Sequence, residues 1–135
     1  MNYDEAILKI RELGTNGCNY DVSTDDVLAK LDEWSLKIKF EVLEVTQDSV
    51  TIHFQTLPKD TAKFAEEIYQ FCPDTVDQHF GCFDEMIESF TEADEDIPED
   101  VYQLIEGVDF SDENYGLILL ERALKIDGHV QLWWD

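Results

Sequence analysis

A proline set at the end of an apolar stripe fixes the middle of this chain. Phe64, Ala65, Ile68 and Cys72 recur at helical spacing, and Asp60 stands where it can cap the first turn, so residues 61 to 72 read as an amphipathic helix. Pro73 stops it. The pyrrolidine ring disfavours helical dihedrals at Cys72 and offers no amide hydrogen, so the chain must leave the helix and carry Asp74 and Asp77 onto a turn or a short new segment. A second fixed point is the terminal run Val130-Gln131-Leu132-Trp133-Trp134-Asp135. Extended, it places its two adjacent indoles on opposite faces, one able to fill a core and the other to lie under helices or at the rim.

Elsewhere the periodicities are equally local. Tyr3, Ala6, Ile7, Ile10 and Leu13 mark a helix ending at Gly14, and Ser23 with Asp26 forms a reciprocal cap ahead of Val27, Leu28, Leu31 and Trp34. Ile38, Phe40 and Val42 alternate with polar neighbours, Leu43 and Val45 change phase, and Gln47-Asp48 supplies a turn before Val50, Ile52 and Phe54. That predicts a hairpin over 37–56 with a bulge near Val42. A lone hairpin is marginal, so a strand at 129–134 is expected to join it. Three further helical stripes follow Gln78: Phe83, Met86, Ile87 and Phe90; Val101, Leu104, Ile105 and Val108, with Pro98 at the start; and Leu117, Leu120 and Leu124, ending near Gly128. The expectation is an α+β fold in one domain, a small, mainly antiparallel sheet packed against several helices.

The segment Phe71-Cys72-Pro73-Asp74-Thr75-Val76-Asp77-Gln78, taken with Leu132-Trp133-Trp134-Asp135, resembles the bacterial family called domain of unknown function 4253. The preceding order of strand, strand and helix also fits. The resemblance implies an α+β bacterial domain and no established reaction. Against that family pattern, the acidic region at about 83–113 reads as a helical insertion.

Charge sets the limits on function. The chain carries 32 acidic and 9 basic residues, a net charge of −23. Between Lys63 and Arg122 there is no lysine or arginine, while 18 of the acidic residues fall there. Such a field repels nucleic acid and anionic lipid and draws basic proteins, so neither DNA, RNA nor a membrane is expected as partner. The candidate partner-binding surface is Asp84, Glu85, Glu88, Glu92, Asp94, Glu95, Asp96, Glu99 and Asp100. The plainer alternative is acidity spread over solvated helix faces for solubility or salt tolerance. No run is long and apolar enough for a membrane span, the N-terminus lacks a basic, apolar signal pattern, and Cys18, Cys72 and Cys82 are too few and odd in number for a disulfide framework. A cytoplasmic setting is therefore expected.

Catalytic chemistry has thinner support. Asp74, Asp77, Gln78 and His79 follow the enforced turn and coincide with the family-like motif, where two carboxylates and an imidazole could hold a divalent cation or act as acid and base. Aspartates at a turn also cap backbone amides, which is the competing structural role. Cys72, His79 and Cys82, with Cys18, contain the donor types of a Cys3His zinc site, but their spacing is unlike paired knuckles and Cys72 lies on an apolar stripe. A Cys82 and His79 nucleophilic pair lacks an orienting group, and His53 reads as an exposed cross-strand residue. No glycine-rich phosphate loop is present. Trp133 and Trp134, with Asp135, form the C-terminal motif, whose rings could stack on a ligand or fill the core. The sequence thus points to a non-enzymatic acidic protein that binds a basic partner, a toxin in the manner of an immunity protein, with no cofactor or metal. A small metal-binding protein or hydrolase centred on Asp74, Asp77 and His79 is the alternative. Oligomeric state is not encoded in any motif.

Overall fold

A computed structural model describes residues 2–17, 21–77 and 79–134. Helices α1 (Tyr3–Leu13) and α2 (Thr24–Ser35) precede a hairpin of β1 (Phe40–Val45) and β2 (Ser49–Phe54). Then come α3 (Thr61–Phe71), the single turn α4 (Asp74–Asp77), a 3-10 turn at Phe80–Cys82, and α5 (Phe83–Glu92). The chain closes with α6 (Glu99–Ile105), α7 (Tyr115–Ile126) and β3 (His129–Trp133). The strands form one antiparallel sheet in the order β1-β2-β3. This is the expected α+β architecture, with the strands trimmed to 40–45, 49–54 and 129–133.

Local signals set most boundaries. Asn2 accepts from the Glu5 amide to start α1, and Gly14, at φ 67, ends it with its N–H on Ile10 O. Ser23 and Asp26 cap α2 reciprocally, and Asp60 accepts from the Lys63 amide to open α3. In the hairpin the register slips between Val42 and Glu44, so Leu43 is the extra residue and points out at 43% exposure while Val42 and Val45 both face the core. After Pro73, the amides of Val76 and Asp77 return to the Pro73 carbonyl at 3.0 and 2.9 Å and build α4. The sixth helix is shorter than its stripe predicts: Gly107, at φ 75, turns the chain and leaves half-buried Val108 outside α6.

The core lies on one face of the sheet, where Val42, Val50, Ile52, Phe54, Val130 and Leu132 meet Ile10, Leu31, Phe64, Ile68, Leu119 and Leu120. Trp34 sits at its centre, 1% exposed, with its ring edge-on to Phe54, Phe64 and Phe71 at 5.8, 5.6 and 6.1 Å, and its indole N–H on Glu67 at 3.0 Å. The acidic helices are peripheral. Phe83 alone is buried in α5 and nothing is in α6, so both ride on the core through half-buried residues such as Met86, Leu104 and Ile105. No helix among the described residues is long and apolar enough to cross a membrane.

Candidate functional site

The segment that leaves α3 packs along the outer border of β3. The Cys72 thiol donates to the Trp133 carbonyl oxygen at 2.9 Å, and the Thr75 hydroxyl, 3.3 Å from the Cys72 sulfur, donates to the Gln131 carbonyl oxygen at 3.2 Å. Alternate carbonyls of a strand point the same way, so two groups on the side away from β2 are satisfied by side chains. Burial pushes the Cys72 thiol above its ordinary value, which keeps it a protonated donor.

The polar residues of this motif go separate ways. Asp74 is buried, 1% exposed, at the start of α4. Asp77 is exposed and accepts from the Tyr69 hydroxyl at 3.0 Å, a bond that, with burial, raises the phenol above its ordinary value. His79 keeps an exposed edge while its ring rests on Phe80 and Phe83, at 4.5 and 5.4 Å, and lost hydration holds the imidazole below the ordinary histidine range. Gln78 lies outside the described residues. Asp77 faces a cavity of about 260 Å³ shared with Tyr69, Gly81, Glu113 and Tyr115, whereas His79 faces a different one.

That other cavity, about 170 Å³, runs between α4 with the 3-10 turn and β3, lined by Thr75, His79, Phe80, His129, Gln131 and Trp133. His53 is the direct register partner of His129, with ring centroids 4.6 Å apart and planes tilted by 47°. Asp127 lies beside His129: one carboxylate oxygen accepts from its backbone N–H at 2.9 Å and the other is 3.6 Å from Nδ1. His79 and His129 thus line one cavity, and His53 touches His129 from the neighbouring strand. From sequence His53 reads as an exposed cross-strand residue on the polar face; it is cross-strand but half-buried, because strand register sets the His129 ring against it, a pairing that no local pattern reports.

Among the described residues no group of three or more histidine, cysteine or carboxylate side chains is gathered for a metal ion. Of the cysteines considered for zinc, Cys72 is bonded to β3, and Cys82 donates to the Asp77 carbonyl at 3.2 Å. Burial first, then the charges of Glu85, Asp84 and Asp77, raises the Cys82 thiol and keeps it poorly nucleophilic. Cys18 lies outside the described residues. The tryptophans divide as their alternation requires: Trp134 is buried edge-on to Phe71 at 5.6 Å, and Trp133 is half-buried at the cleft. Trp134 passes so close to Gly17 that a β-carbon there would sit 2.5 Å from the indole. Asp135 lies outside the described residues.

The carboxylate surface has little to neutralise it. Asp84, Glu85, Glu88, Glu92, Asp94, Glu95, Asp96, Glu99 and Asp100 are all exposed. Among the described residues, ion pairs are made by Lys30, Lys37, Lys125 and His129, and none reaches a carboxylate between Asp84 and Glu113. Arg122 is directed to the end of α6, donating to the carbonyls of Leu104, at 3.2 Å, and Glu106. It fastens the helix and leaves the side chains uncompensated.

The chain belongs to the family described as Domain of unknown function (DUF4253), whose model matches residues 3–135, nearly its whole length. No curated protein and no solved structure matches it.

Proposed function

We propose that this protein is a non-enzymatic acidic interaction protein of the bacterial cytoplasm that covers a basic protein partner, a toxin in the manner of an immunity protein. One observation carries the reading: nine exposed carboxylates on and between α5 and the start of α6 have no ion-pair partner among the described residues. Leaving like charges together costs stability through self-repulsion, and a cationic partner would relieve it. Helices resting on the core by few buried side chains can also adjust to a surface brought against them. The alternative, a metal-binding protein or hydrolase centred on Asp74, Asp77 and His79, needs those side chains to converge. One is buried, one is bonded to Tyr69, and the third faces a separate cleft.

The test is co-purification with the products of neighbouring genes, followed by association kinetics across a range of salt. A basic partner should bind with a rate that falls steeply as ionic strength rises, and replacing Glu88, Glu92 and Glu99 with Gln and Asp96 with Asn should slow it at least about tenfold and flatten the salt slope. Binding unchanged by those four substitutions, or no basic protein among the neighbours, would defeat the proposal.

A further inference from the structure

We propose that His53 and His129 form a surface site for a divalent transition-metal ion of the zinc, nickel or copper type, on the face of the sheet away from the core. The two residues are register partners in adjacent antiparallel strands, and Glu41 on β1 is in turn the partner of His53, so one transverse row reads Glu41, His53, His129. Side chains directly opposite in such a pair project to the same face. An imidazole nitrogen bound at about 2.1 Å puts its ring centroid about 3.2 Å from zinc, so centroids 4.6 Å apart correspond to an angle of about 90° between two ligands.

The surroundings complete the arrangement. Asp127 is pinned by the His129 backbone N–H and lies 3.6 Å from Nδ1, longer than a hydrogen bond and short enough to close into one. A carboxylate on that nitrogen leaves Nε2 to bind the metal and raises its basicity. The pair supplies two protein ligands, and water fills the remaining positions, since no third histidine, cysteine or carboxylate is gathered there among the described residues. Imidazole selects zinc, nickel and copper, whereas the carboxylates of α5 and α6 suit magnesium and calcium, so the site is chemically distinct from the acidic surface. The chain's negative field raises the local concentration of any cation.

The experiment is a titration of the full chain with Zn²⁺, and separately with Ni²⁺, in excess Mg²⁺ that occupies the carboxylates, followed calorimetrically and by NMR of the imidazole nitrogens. One equivalent should bind, and Ni²⁺ should broaden the side-chain signals of His53 and His129 first. His129→Gln or His53→Gln should weaken binding about tenfold or more, and Asp127→Asn by a smaller factor. The NMR readout on the unaltered chain stands even if a variant folds poorly. Undiminished affinity in the His53→Gln, His129→Gln double variant would assign the metal to thiols or carboxylates and overturn the proposal. So would imidazole signals unmoved at a several-fold excess of metal.

Discussion

The Cys72 thiol donates to the Trp133 carbonyl oxygen at 2.9 Å, joining residues 61 positions apart. With the Thr75 to Gln131 bond it ties the Cys-Pro-Asp-Thr segment to the Gln-Leu-Trp strand: the first supplies donors to carbonyls of the second. Thr75→Val removes a donor and leaves the Gln131 carbonyl short of a partner, a loss of about 1–3 kcal/mol. Urea denaturation of Thr75→Val, Cys72→Ala and the double variant should show non-additive losses, since the two side chains also touch each other. Strictly additive costs would mean the two contacts act independently.

Trp134 tests the packing under the same strand. Truncation to Ala should cost about 3–5 kcal/mol because the ring is 3% exposed against Phe71. Trp134→Phe should cost less than the alanine change, since the phenyl ring leaves a smaller cavity and the indole N–H has no partner among the described residues to forfeit. Gly17→Ala should destabilise by about 1–3 kcal/mol through collision with the indole. Thermal melts of the three variants rank these effects.

Unpaired carboxylates make stability depend on salt. The melting temperature should climb between low and moderate ionic strength as their repulsion is screened, and the climb should shrink when Glu88, Glu92, Asp96 and Glu99 are neutralised. A melting temperature indifferent to sodium chloride would place the excess charge too far apart to interact.

Alkaline pH should destabilise the fold. Burial raises Cys72 above its ordinary 9.0, and burial with acidic neighbours pushes Tyr3 and Tyr115 up from 10.0 to about 12. The unfolded chain therefore releases these protons first, so their contribution is complete below about pH 9 and is lost as pH rises through the folded values. His79 acts at the other end: held below its ordinary 6.5, it favours the fold above that pH and loses its contribution as pH falls through the folded value. Denaturation midpoints between pH 5 and 11 should form a plateau with both flanks falling, the acid flank softened by His79→Gln.

What was legible in the sequence was local. The Pro73 stop, the Ser23 and Asp26 cap, and the Val42 bulge each depend on neighbours within a few positions, and each is present. What was not legible depends on register or on long-range packing. His53 meets His129 only once β2 and β3 are aligned, and Thr75 reads as an ordinary turn residue until β3 arrives beside it. Val108 matches the helical stripe, yet Gly107 takes a left-handed turn just before it, a freedom that apolar spacing does not report.

The outer border of β3 is partly sealed from within. Sheets often defend an open border with lysine, proline or other repelling groups so that stray strands do not add on. Here a hydroxyl and a sulfhydryl from the same molecule hold carbonyls that an intruding strand would seek. Two acceptors of that margin are thus closed to an added strand without any charged group being engaged.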